Sequence, residues 1–207
     1  MADRLEPIFN PRSIAVIGAS RHRGKVGYAI MRNLIMNEYQ GKLFPVNPKA
    51  DSVWGIKAYP SVLDIPDPVD LAIIMIPADL VEGAVEECGK KGVRGLVVIT
   101  AGFREIGPVG EAREKTLKDL AKKYGMVLVG PNCMGVINTH PDVRMDATFA
   151  PTPPLQGHLS FLSQSGALGV AILDHAKNLQ LGFAKFVSLG NKTDVSGNDC
   201  LVSWEDD

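Results

Sequence analysis

The sequence predicts an α/β protein: a doubly wound parallel sheet followed by the beginning of a second α/β unit. Over the first 135 residues, short apolar runs alternate with amphipathic stretches at helical spacing, joined by short loops. After an interruption rich in proline the same alternation resumes. The size agrees, because 207 residues with 45% hydrophobic content suffice for one good core and part of a second.

The elements follow in order. SIAVIG is a strand, and Gly27 to Glu38 reads as a helix with Ile30, Leu34 and Ile35 on one side. KLFPVN is a second strand. LAIIMI is a third, a nearly unbroken apolar run of the kind a buried parallel strand needs. Pro77 suits the first turn of a helix running to about Lys91. LVVIT is a fourth strand, Pro108 to Tyr124 a charged amphipathic helix, and MVLVG a fifth strand. Residues 139–157 carry four prolines and no periodicity, which marks a linker or irregular crossover. HLSFLS then reads as a strand, SQSG as a tight loop, Ala167 to Asn178 as a helix and FAKFVSLG as a strand, with a last helix beginning near Ser196.

These patterns divide the chain into a first domain at 1–138, a linker at 139–157 and a second domain at 158–207. One β-α-β unit of this size cannot bury a sheet on both faces. The closing WEDD also places acidic residues where a helix dipole disfavours them. The second domain is therefore expected to be cut short; the alternative is a β-α-β appendage packed on the first.

Composition narrows the function. A net charge of -1 gives no basic field for nucleic acid. The longest apolar run, Leu71 to Ile76, is too short to cross a bilayer. The N-terminus MADRLEPIFNPRS lacks the apolar core of a signal peptide. Cys88, Cys133 and Cys200 are an odd set without C-x-x-C, which fits a reducing cytoplasm rather than a disulfide framework or zinc site.

The loop VIGASRHRGKVG at 16–27 joins an apolar strand to a helix, the usual place for a phosphate. It departs from G-x-G-x-x-G: Ala19 and Ser20 follow Gly18, and the next glycines come only at Gly24 and Gly27. The second strand ends in VNPK, so Asn47 and the cation Lys49 stand where a nicotinamide enzyme carries an acid. A cation there suits a ligand with an extra phosphate. The triphosphate loop G-x-x-x-x-G-K-[ST] also fails, because Val26 follows Lys25 and the glycine spacing is one residue too long. Ser20, Arg21, Arg23 and Lys25 still supply a hydroxyl and charge for an anion; the alternative is a solvated basic loop.

Six stretches in order then agree on one family: GASRHRGKVG, VNPK, ITAGF (Ile99 to Phe103), GPNCMG (Gly130 to Gly135), SQSGALG (Ser163 to Gly169) and SLGNKTDVS (Ser188 to Ser196). Together they cover essentially the whole chain, which resembles the α part of nucleoside-diphosphate-forming acyl-CoA synthetases. The nearest likeness is to ADP-forming acetate–CoA ligases, relatives of the succinyl-CoA synthetase α subunit. The resemblance implies a Rossmann-like CoA-binding domain followed by the beginning of a flavodoxin-like ligase domain. It implies that Ser20, Arg21, His22, Arg23 and Gly24 hold the CoA pyrophosphate and that Lys49 meets a CoA phosphate. Thr100, Ala101 and Gly102 would line the pantetheine path, and Asn132 would sit near the thiol. Gly18, Lys25, Asn47 and Pro77 complete the expected CoA set. Ser163, Gln164, Ser165 and Gly166 resemble the family's phosphate cradle. A serine nucleophile elbow is disfavoured there, because Ser163 and Ala167 stand where G-x-S-x-G needs glycine. Val170 stands where succinyl-specific relatives are expected to carry tyrosine, which favours a smaller or different acid.

By the same resemblance the complete protein converts acyl-CoA, ADP and phosphate into acid, ATP and CoA, through an acyl phosphate and a phosphohistidine. None of His22, His140, His158 and His175 has the glycine-rich context of that histidine, which is expected beyond residue 207. ADP or ATP and magnesium would enter only through a missing ATP-grasp subunit or domain. The expected ligands of this chain are CoA and a small carboxylic acid; no residue of it is expected to be catalytic, no metal site is expected in it, and an oligomer is expected. The rival reading is a CoA-binding regulatory module, for example of a fused acetyltransferase, and a second rival is a nicotinamide oxidoreductase domain.

Overall fold

The computed structural model describes residues 4–205. After a short helix α1 (Glu6–Phe9), the chain alternates β1 (Ser13–Ile17), α2 (Val26–Met36) and β2 (Lys42–Val46). A small hairpin, β3 (Ser52–Val53) and β4 (Ile56–Lys57), precedes β5 (Leu71–Ile74). Then come α3 (Ala78–Lys91), β6 (Gly95–Val98), α4 (Pro108–Tyr124) and β7 (Val127–Val129). Five of these strands form one sheet in the order β2-β1-β5-β6-β7, every neighbouring pair parallel. β1, β5 and β6 are buried along their whole length, which is why their sequences are unbroken apolar runs. Helices α3 and α4 both stop where a glycine takes the left-handed conformation, at Gly92 and Gly125.

The two faces of this sheet are covered differently. On one face, Ala15, Ile17, Ala72 and Val98 pack with Val81, Val85 and Leu117 of α3 and α4. On the other, Ile14, Val16, Ile73 and Val97 join α1 and α2 and also Val136, Met145, Ala147, Val187 and Val195. Apart from Val195, which follows the last of these strands, that second set comes from a four-stranded sheet, β10-β11-β8-β9, made of β8 (Gly135–Asn138), β9 (Met145–Thr148), β10 (Gln156–Ser163) and β11 (Phe183–Ser188). One continuous core therefore joins the two units. Helix α5 (Gly166–Asn178) belongs with a smaller cluster of Met134, Ile137, Leu173 and Phe186, and α6 (Gly197–Ser203) inserts Cys200 into the shared core.

The strand pairing places two stretches differently from the sequence division. Residues 135–138, expected in the first domain, form β8 and pair antiparallel with β11. The interval 139–157, expected as a linker, contains β9, four buried residues paired antiparallel with β8. The physical reason is that Asp146 and Thr148 are buried polar residues bonded to each other, so the segment carries none of the apolar alternation that marks a strand. The predicted helix start at Gly27 and the Pro77 start of the next helix each shift by one residue, Pro77 acting as N-cap of α3. The WEDD reading concerns residues of which Asp206 and Asp207 lie outside the described part; Trp204 caps α6.

Candidate functional site

The chain runs from β1 to β2 on one side, then crosses to β5 on the other side of β1. Crevices outside the carboxyl ends of strands open at such a switch point. A cleft of about 490 Å³ lies there, lined by Gly18, Asn47, Lys49, Ile76 and Pro77 among others. Its lining is mostly apolar, with Val62, Leu80 and Ala84 as one wall.

The loop after β1 is built by two close approaches. Gly18 has φ +98° and donates its N–H to the Val46 carbonyl at 3.0 Å. A methyl on Gly27 would overlap the Gly18 carbonyl oxygen, so only glycine lets α2 start this close to β1. Asn47 fixes the turn after β2: its Nδ2 donates to the Ala19 carbonyl at 2.7 Å, and its Oδ1 accepts the Lys49 N–H at 2.8 Å. This holds Lys49, exposed, at the cleft rim. Ser20 accepts the His22 N–H on its hydroxyl at 3.1 Å, which curls the loop. Arg21, His22, Arg23, Gly24 and Lys25 are all exposed.

The structure thus separates residues that the sequence groups together. Gly18, Asn47, Lys49 and Pro77 share the cleft. Arg23, Gly24 and Lys25 instead line an open concavity with Tyr28, Arg32 and Phe149. Thr100, Ala101, Gly102 and Asn132 lie outside the cleft lining but continue from it along the strand ends. The Thr100 hydroxyl donates to the Ile76 carbonyl at 2.8 Å, and the Asn132 N–H donates to the Thr100 carbonyl at 3.0 Å. Gly102 donates its N–H to Glu105 Oε1 at 2.6 Å. Asn132 is exposed and left-handed, with φ 57°.

That row of residues ends at the second sheet. Ser163 and Ser188 are register partners at the carboxyl ends of the parallel strands β10 and β11. The Met134 N–H donates to Ser188 Oγ at 3.0 Å, and an added Cβ on Gly166 would lie 3.3 Å from the Met134 Cβ. The loops after β7, β10 and β11 therefore meet at the N-terminus of α5. Ser165 is the N-cap of α5, its Oγ accepting the Leu168 N–H at 3.3 Å, and Ser163 Oγ donates to the Ser165 carbonyl at 2.9 Å. Gln164 is exposed beside them. A helix N-terminus with these hydroxyls and backbone donors suits an anion. Val170 packs on the cluster beneath α5.

The cysteines are excluded from chemistry by burial. The three cysteine thiols are buried, and burial pushes each up to about 12. Cys133 donates to the Val98 carbonyl, so it is a packing element. His175 lies near the far end of α5, while His22, His140 and His158 lie outside the Ser163–Gly166 loop. Among the described residues no group of acids, histidines or cysteines is arranged to hold a metal ion, and no helix is long and apolar enough to cross a membrane.

Sequence reasoning missed the apolar wall of the cleft. Its trace lies in α3, where Leu80, Ala84 and Glu87 recur at helical spacing beside the buried stripe Val81, Val85, Cys88. It also gave SLGNKTDVS no structural task. That segment runs against β7: Thr193 donates to the Gly130 carbonyl at 3.2 Å, and Val195 to the Leu128 carbonyl at 3.1 Å.

The CoA binding domain family matches residues 12–139, and the succinyl-CoA ligase like flavodoxin domain matches residues 156–207. The chain is 50% identical over 203 residues to an ADP-forming acetate–CoA ligase of Methanocaldococcus jannaschii, covering 98% of this chain and 28% of that protein. It is 47% identical to the α subunit of ADP-forming acetate–CoA ligase I of Pyrococcus furiosus, covering 98% of this chain and 44% of that subunit. A solved structure of acetyl-coenzyme A synthetase 1 of Ca. Korarchaeum cryptofilum, in complex with phosphate and ADP, superposes with a TM-score of 0.94 at 45% identity, over 98% of this chain and 43% of that one. The chain thus spans less than half the length of each of these relatives.

Proposed function

The chain belongs to the CoA-binding family, in the arrangement of the α part of ADP-forming acyl-CoA ligases, and from that premise we propose that it is the CoA-holding part of an acid–CoA ligase. The complete enzyme would interconvert acyl-CoA, ADP and phosphate with acid, ATP and CoA. The observation that carries this reading is the continuous path from the switch-point cleft, through Thr100 and Asn132, to the Ser163–Gly166 loop.

The residues fit CoA by their chemistry. The apolar wall of Val62, Leu80 and Ala84 suits the adenine, and Lys49 at the rim meets the 3′-phosphate. Ser20 to Lys25 face the pyrophosphate with exposed cations and backbone donors. The pantetheine arm then follows Thr100 to Gly102, which brings the thiol end to Asn132.

At that end the reaction is an acyl transfer. A phosphate oxygen attacks the thioester carbonyl, the carbon–sulfur bond breaks, and CoA leaves as a thiolate that takes up a proton. The products are an acyl phosphate and free CoA. The α5 N-terminus and the Ser165 hydroxyl proton hold the phosphate for this attack. Since none of His22, His140, His158 and His175 stands in the glycine-rich context of a phosphohistidine, we assign the residue that carries the phosphoryl group onward to a part of the protein outside these residues. The ATP-grasp partner supplies ADP and magnesium.

Calorimetric titration tests the reading. CoA should bind and NAD should not; Lys49→Ala should weaken CoA more than dephospho-CoA. Micromolar NAD binding without CoA binding overturns the proposal, and equal loss for both CoA forms removes Lys49 from the 3′-phosphate.

A further inference from the structure

We propose that Asn191 is a positioning residue: it fastens the thiol end of the CoA site to the phosphate loop of the second unit. The inference rests on the CoA reading above. Asn191 is buried, at 6% exposure, in the segment that follows β11. Its Nδ2 donates to two carboxylates, Glu105 Oε2 and Glu114 Oε2, both at 2.8 Å. Its Oδ1 lies 3.5 Å from Asn132 Nδ2. Its backbone N–H donates to the Pro131 carbonyl at 2.9 Å, and its carbonyl accepts from Arg104. Gly190 makes this approach possible, because a methyl there would overlap the Pro131 carbonyl oxygen.

The bonds beyond Asn191 lead to the two places that matter. Glu105 turns its other oxygen to the N–H groups of Gly102 and Phe103, at 2.6 and 3.1 Å, and so shapes the pantetheine path. Burial works to raise the pKa of Glu105, but the Asn191, Gly102 and Phe103 donors outweigh it and hold the acid ionised below its ordinary range. Glu114 takes the Thr193 hydroxyl at 2.5 Å and the Arg104 N–H at 3.2 Å. Three residues before Asn191, Ser188 holds Met134 beside the Ser163 loop. One neutral amide thus joins the loop at 102–105, the loop at 130–135 and the end of β11. An amide is needed: it offers two donors to two carboxylates, whereas an aspartate would add a third negative charge.

The nucleotide cleft is built from the ends of β1, β2 and β5, whereas the hydrogen bonds of Asn191 described above all go to residues outside its lining. The two halves of CoA should therefore respond differently. Calorimetry compares CoA with adenosine 3′,5′-bisphosphate, which lacks the pantetheine arm. Asn191→Ala should weaken CoA on the order of tenfold and leave the bisphosphate unchanged. Glu105→Ala, at an exposed position, should do the same and carries the test if Asn191→Ala does not fold. Equal loss for both ligands, or no loss for either, overturns the inference. Wild-type protein that binds neither ligand overturns the CoA reading itself, and this inference with it; wild-type binding with unselective variants overturns the inference alone.

Discussion

Asp146 on β9 has a carboxyl that water does not reach, at 1% exposure. Its Oδ1 accepts the Thr148 hydroxyl at 2.7 Å and the Thr148 N–H at 3.2 Å, while Oδ2 has no hydrogen-bond partner among the described residues. Burial drives its pKa up from 3.8 to about 7, against the opposing pull of Thr148 and Arg32. In the unfolded chain the acid returns to its usual value. Below pH 3.8 both states are protonated, so the contribution to stability is then fully present. It is lost as the pH rises toward about 7 and is gone above that. At about 1.4 kcal/mol for each pH unit between the two values, the full cost is about 4 kcal/mol, an upper bound because a charged core relaxes. Asp146→Asn keeps the acceptor for Thr148 and cannot ionise. Urea unfolding of both proteins between about pH 4.5 and about pH 8 should show the variant gaining on the wild type as the pH rises, by about 2–4 kcal/mol, then levelling off. A difference independent of pH would refute the claim that this carboxyl ionises at a cost inside the core.

Three further outcomes follow from packing and burial. Gly27→Ala forces a methyl onto the Gly18 carbonyl and should cost about 1–3 kcal/mol in thermal unfolding, with loss of CoA affinity because the loop after β1 must shift. Native protein at pH 8 should leave Cys88, Cys133 and Cys200 unlabelled by an aromatic disulfide reagent, and urea should release three reactive thiols; rapid labelling of Cys133 would remove it from the packing role. Ser165→Ala removes the α5 N-cap and should lower stability by about 1 kcal/mol; the CoA titration should stay unchanged, since Ser165 lies beyond the thiol end.

Much of the fold was legible because parallel strands buried on both faces print themselves as apolar runs. SIAVI, LAII and LVV all fall where the sequence places them, and α4 spans Pro108–Tyr124 as read. β9 was not legible, since its polar residues are satisfied by each other and leave no periodicity. The pairing of β8 with β11 depends on contacts across about fifty residues of chain, which local pattern cannot report. The site behaved likewise. Glycines and cations marked the loop at 18–25 and the turn at 47–49, because backbone geometry and charge are local properties. The division of those residues between a cleft and a separate concavity, and the pairing of Asn191 with two carboxylates, arise only when distant loops meet.

The segment alongside β7 has a consequence for behaviour in crowded solution. β7 is the last strand of its sheet, and a bare rim of this kind recruits strands from other molecules. Here the Leu128 N–H is taken by the Asp194 carboxylate at 3.0 Å, and its carbonyl by Val195. Arg4 then clasps Asp194 from outside at 2.5 Å. The rim is occupied by a kinked run bearing charge, on which no further strand can be laid. Loosening it, for instance with Asp194→Ala, should expose a template for self-association, seen as a rise in light scattering with protein concentration.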